Sequence, residues 1–85
     1  MAASFEDLLA ANASFAEDFR LAGFDGVAHA GIAVVTCMDS RIDPLAMLGL
    51  RPGDAKMLRN PGGRVTDDAL AALVLSVNLL GVERV

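Results

Sequence analysis

The chain has 85 residues, 54% of them hydrophobic but only 5% aromatic, and carries a formal net charge of −4. That length holds one small domain, the 7 Lys and Arg residues form no basic stripe of the kind nucleic-acid binding needs, and a single Cys excludes an internal disulfide framework. A mean hydropathy of +0.48 is more apolar than a domain this small can hide, so contacts with partner segments or with other copies are expected.

The first residues, Met1 to Asp7, show no basic stretch leading into an apolar one, as a secretory leader would. The apolar runs are too short to span a membrane. With its one thiol, the chain reads as cytoplasmic, without membrane or nucleic-acid partners. Residues 4–22 have the spacing of an amphipathic helix. Ser4 is the expected N-cap with Asp7 three residues on, and Gly23 the expected end. Phe5, Leu8, Leu9, Phe15 and Phe19 form a stripe opposite Glu6, Glu17, Asp18 and Arg20. The stripe predicts docking, on the chain's own domain or on a partner; spacing leaves both open.

Gly23, Gly26 and Gly31 punctuate a loop. Ile32-Ala33-Val34-Val35-Thr36 is a β-branched apolar run and predicts a buried strand, with Cys37 opening the loop after it. Asp43-Pro44 starts a short helix over 45–49, since proline suits the first turn. Arg51 to Asp54 is a turn, Ala55 to Arg59 a second strand, and Asn60-Pro61-Gly62-Gly63 a break with type II turn chemistry. Thr66 caps a helix over 67–80, with Asp67 and Asp68 favourable in its first turn, and Gly81 ends it. Apolar residues surround that helix on nearly all sides, which predicts burial on more than one face. Val82 to Val85 is the onset of a third strand. Strand, helix, strand, helix and strand onset predict a parallel α/β sheet, here incomplete.

Chemistry concentrates at the carboxyl ends of the two strands, the edge where open parallel sheets bind ligands. Cys37, Asp39 and Arg41 lie within five residues after the first strand, and Arg59 to Gly63 follow the second. A lone Cys is more often a small hydrophobe, and an Asp–Arg pair often only anchors a loop. If the strands are neighbours, however, the two loops share a crevice, and the backbone N–H groups of Gly62 and Gly63 could face it.

Cys37-Met38-Asp39-Ser40-Arg41 resembles the Cys-x-Asp-x-Arg motif of the β-class carbonic anhydrases. Arg59-Asn60-Pro61-Gly62-Gly63 is similar to their Arg-Asn-Ala-Gly segment, and Thr66 to Leu70 with Leu79-Leu80-Gly81 is similar to the helix that follows. The resemblance runs from about Gly31 to Val85. It implies a β-carbonic-anhydrase-like α/β fold with residues 1–30 as an N-terminal helical arm and 31–85 as part of the catalytic domain. It further implies zinc-dependent, reversible hydration of CO2 to bicarbonate in a homo-oligomer, the arm lying across a partner subunit. In such enzymes two Cys and one His hold Zn(II) and leave a position for water, whose pKa falls to about 7.

Carried over by position, Cys37 is the first zinc ligand. Asp39 pairs with Arg41 and orients the zinc-bound water or accepts its proton, or swings onto the metal as a ligand itself. Arg41 holds Asp39 off the metal, and Asn60, Gly62 and Gly63 line the substrate pocket. Pro61 replaces the usual Ala and removes one N–H. The family's His-x-x-Cys ligands lie at the end of a third strand that has only begun at Val85, so the chain is expected to be a truncated form, inactive alone. His29, the one His, reads as a loop residue. At about 3.3 Å per residue, the first strand holds it too far from Cys37 to share a metal. Two other readings remain: a non-catalytic remnant or interaction protein that keeps the scaffold, and, ranked last, a phosphate-binding turn at 60–63, whose Gly spacing fits no nucleotide loop. The same fold also serves hydrolysis of CO2-like molecules such as carbonyl sulfide.

Overall fold

A computed structural model describes residues 4–85. The leader reading over Met1 to Asp7 therefore falls partly outside the described residues. Three helices and two strands follow in the order α1 (Glu6–Glu17), β1 (Ile32–Cys37), α2 (Pro44–Leu48), β2 (Ala55–Asn60) and α3 (Asp67–Leu79).

The expected helix over 4–22 is shorter at both ends. Phe5, not Ser4, occupies the N-cap position, although Ser4 Oγ still accepts the Glu6 amide at 3.2 Å. At the other end the amides of Asp18 and Phe19 bond three residues back, to Phe15 and Ala16. That tight turn closes α1 well before Gly23. The last turn holds no basic residue, and Glu17 and Asp18 oppose the negative end of the helix dipole there. No residue of α1 is buried, and Phe15 is 64% exposed. The Phe/Leu stripe is thus not docked on its own domain.

The β1 and β2 strands pair in parallel, from Ile32 with Ala55 to Cys37 with Asn60. Each runs one residue beyond its expected end, because the Met38 amide donates to the Asn60 carbonyl at 3.0 Å and prolongs the ladder. Parallel neighbours need a crossover, and α2 supplies it. Asp43 caps α2 through the Ala46 amide at 3.5 Å, and Gly49 ends it in a left-handed conformation.

The segment 82–85 lies along the other edge of β1. Ile32 and Arg84 form a parallel bridge, with the Ala33 amide donating to the Arg84 carbonyl at 2.9 Å. An isolated parallel bridge, not a strand, thus forms where the alternation placed the onset of a third strand, and the sheet of the described residues is two-stranded.

Thr66 Oγ1 accepts the Ala69 amide at 3.3 Å and caps α3. Its buried side is Ala69, Leu73 and Ser76, and Ser76 returns its hydroxyl to the Ala72 carbonyl at 2.7 Å. Leu73 joins Ala28, Ala33 and Val82, with Val35 and Leu58 packed around them, as the core. Leu70, Val74, Leu75, Val77 and Leu79 stay exposed, so the expectation of burial on more than one face is not met. Among the described residues the sheet offers α3 a single surface, and the rest of its apolar circumference faces outward.

Candidate functional site

Cys37 ends β1 as a half-buried free thiol beside Asn60, which ends β2. Just beyond it the chain folds onto its own carboxylate. Asp39 Oδ1 accepts the Arg41 backbone amide at 2.9 Å and Arg41 Nε at 3.1 Å, while Oδ2 accepts Arg41 Nη2 at 2.7 Å. The fork matches the carboxylate edge on, the geometry that makes guanidinium–carboxylate pairs directional. The Asp39 side chain is 30% exposed and that of Arg41 88%.

The Arg41 side chain, then its backbone amide, hold the Asp39 carboxyl below the usual 3.8, and the nearby Arg59 charge adds to this. Asp39 in turn raises Arg41. Since the folded value is the lower one, the pair favours the folded chain above pH 3.8 and loses its contribution as pH falls through the depressed value. The Asp39 carboxyl resonance, followed by NMR, is expected to titrate below 3.8 and to return toward it in Arg41→Ala.

The second loop is closed on itself. The Gly63 amide donates to the Asn60 carbonyl at 3.2 Å across the turn, with Pro61 and Gly62 between them and Gly62 at φ 87°. This is the expected type II geometry, and the proline sits where the turn needs no donor. Asn60 Oδ1 accepts the Arg64 amide at 2.8 Å and its Nδ2 donates to the Arg64 carbonyl at 2.6 Å. The Asn60 amide group and the Gly63 N–H are thereby committed to the loop. The expectation that the Gly63 N–H faces the crevice is corrected, because the turn's closing bond uses it. Asn60 does line a shallow cleft of about 340 Å³ with Leu58, Arg59, Asp68 and Ala69; Gly62 and Gly63 do not.

Gly63 has a different part. A Cβ on it would lie 3.0 Å from the Cys37 nitrogen and from the Thr36 carbonyl carbon. The second loop thus rests on the main chain that carries Cys37, which confirms that the two loops meet.

Arg59, the first residue of the second motif but given no role by sequence reasoning, reaches across to the Cys37 loop. Its Nε donates to the Cys37 carbonyl at 2.9 Å and its Nη2 to the Asp39 carbonyl at 2.8 Å. A signal existed: a cation one residue before the end of a strand parallel to β1 stands opposite Thr36 and can reach across the loop.

Among the described residues no three His, Cys, Asp or Glu side chains converge on a metal position. His29 lies before β1, with Nε2 3.1 Å from Asp25 Oδ1 and its ring 4.6 Å from that of Phe24. Cys37 offers one thiolate, and the Asp39 carboxylate is taken up by Arg41. Two donors do not make the four-coordinate site of Zn(II), so the described residues by themselves do not fit the metal.

A parallel strand pair with a Cys and an Asp–Arg fork at its carboxyl edge defines an α/β protein with its candidate site where open sheets bind ligands. A carbonic anhydrase family profile matches residues 32–85, and the chain belongs to the β-carbonic anhydrase family. It is 39% identical over 80 residues to β-carbonic anhydrase 1 of Mycobacterium tuberculosis, covering 94% of this chain and 48% of that protein. It is also 39% identical over 70 residues to a carbon disulfide hydrolase of Saccharolobus solfataricus, covering 81% and 34% respectively. The crystal structure of a carbonic anhydrase from Streptococcus mutans superposes with a TM-score of 0.83 at 41% identity, over 95% of this chain and 49% of that one. The chain spans about half the length of these carbonic anhydrases, or less.

Proposed function

We propose that this chain supplies the Cys37, Asp39 and Arg41 part of a zinc-dependent carbonic anhydrase that hydrates CO2 reversibly to bicarbonate. The observation that carries the reading is the Asp39–Arg41 fork next to the Cys37 thiol, at the ligand-binding edge of a sheet of this family. Zinc held by Cys37 and by donors beyond those described would supply a water acidic enough to be a nucleophile at neutral pH.

The chain's own residues do the rest. Arg41 keeps the Asp39 carboxylate ionised and locked in one orientation, so Asp39 can accept a hydrogen bond beside Cys37 without a search of rotamers. Residues 31–85 carry the chemistry, and residues 1–30 form an arm. The exposed stripes of α1 and α3 support a homo-oligomer, and a single unpaired thiol supports a reducing, cytoplasmic setting. No helix among the described residues is long and apolar enough to cross a membrane.

Cobalt(II) serves as the spectroscopic test. At cobalt concentrations high enough to populate a two-donor site, the chain is expected to show a weak thiolate-to-cobalt absorption that Cys37→Ser removes; a band that persists in Cys37→Ser would overturn Cys37 as a metal ligand. With zinc, the 85-residue chain is expected to bind substoichiometrically and to leave CO2 hydration at the buffer rate, because two donors are too few. One tightly held zinc per chain with activity would overturn that part.

A second reading keeps the scaffold and discards the reaction: an interaction protein whose exposed α3 face is its working surface. The incomplete donor set favours it, and a cobalt band indifferent to Cys37→Ser would support it. Linear CO2-like substrates such as carbon disulfide belong to the same proposal, since a relative at 39% identity bears that activity in its name.

A further inference from the structure

The loop from Cys37 to Asp39 carries both reactive groups, yet within it only the Asp39 carboxylate is held by a neighbour, Arg41. The Ile42 amide donates to the Asp39 carbonyl at 3.0 Å, and the other ties come from β2. The Asn60 carbonyl takes the Met38 amide at 3.0 Å, and the Arg59 guanidinium takes the carbonyls on either side of Met38, at Cys37 and Asp39. Met38 itself is exposed and contributes no anchor of its own.

We propose that Arg59 is a positioning residue: its fork fixes the backbone separation of Cys37 and Asp39, and so the placing of thiolate against carboxylate. The proposal rests on the functional reading above. Two parallel N–H donors on one rigid plane meet two carbonyls two residues apart. A lysine offers a single point and cannot span them. The register explains the reach, because Arg59 stands opposite Thr36, one residue before the loop begins. Arg41 and Arg59 divide the work. Arg41 orients the carboxylate; Arg59 sets where its Cα lies.

The test is amide hydrogen exchange on the metal-free chain, which reads the loop without needing zinc or turnover. In Arg59→Ala the amides of Met38 and Arg41 are expected to exchange about tenfold faster or more, as loss of two charge-assisted bonds implies, with amides inside β1 unchanged. Arg59→Lys is expected to restore little of the protection. Added methylguanidinium is expected to restore much of it in Arg59→Ala, and methylammonium none. Unchanged protection at Met38 and Arg41 in Arg59→Ala would overturn the proposal. So would a loss spread evenly over β1 with a lowered melting point, or equal rescue by Lys and by methylammonium. The Cys37 dependence of the cobalt band reports separately on the carbonic anhydrase reading, so the two can fail independently.

Discussion

Leu73→Ala is expected to unfold most of the molecule. Leu73 is 8% exposed, and its buried companions Ala28, Ala33 and Val82 are all smaller. Truncating a buried Leu costs about 2–5 kcal/mol, through lost transfer energy and the cavity left behind. The core of a chain near this size supplies roughly 3–5 kcal/mol in all. Since α3 meets the sheet largely through this side chain, little is left to hold the helix against β1 and β2. Far-UV circular dichroism with a urea titration reads the effect. A loss below about 1 kcal/mol would mean that the core lies elsewhere.

Gly63→Ala is the second large effect, and it should fall on both stability and the site. Gly63 has φ 64°, where an L-residue costs roughly 1–2 kcal/mol. The added Cβ would also press at 3.0 Å on the main chain of Thr36 and Cys37. Neither contact is a side-chain end that can swing away, so strain of about 1–3 kcal/mol adds to the first cost. The urea midpoint should drop accordingly. The thiol of Cys37 should also react with iodoacetamide at a changed rate in the fraction that stays folded. An unchanged midpoint together with an unchanged rate would show that the two loops do not touch as described.

Much of this was legible in the residues because the local signals are strong. A β-branched run placed β1 to within a residue, Thr66 is the expected cap and its hydroxyl accepts the Ala69 amide, and Pro61-Gly62 makes the turn its chemistry demands. The two motif loops meet because β1 and β2 are parallel neighbours; the alternation of elements implied the parallel sheet but left their adjacency open. What was hidden depends on contacts across the chain. Asn60 was expected to line a substrate pocket, and it does border a cleft, but its amide is spent on Arg64, a pairing that no periodicity reveals. Arg59 was visible only as a motif letter. Its two carbonyl partners come from the loop of another strand.

The apolar helices show the same divide. Spacing located the stripes on α1 and α3 but not their partners, because periodicity reports which face is apolar and not what lies against it. On α3 the buried positions reduce to Ala69, Leu73 and Ser76, and on α1 there are none.

The carbonyl of Gly31 takes two amides at once, from Glu83 at 2.7 Å and from Arg84 at 3.0 Å. This double grip acts as the starting tooth of a zipper on the second edge of β1, at the end far from Cys37. A slip of one residue there would turn each side chain of 82–85 to the opposite face of the sheet. Val82, now 3% exposed in the core, would change places with an acidic neighbour, Glu83. The geometry at Gly31 therefore acts as a ratchet, setting which residues of that segment point inward.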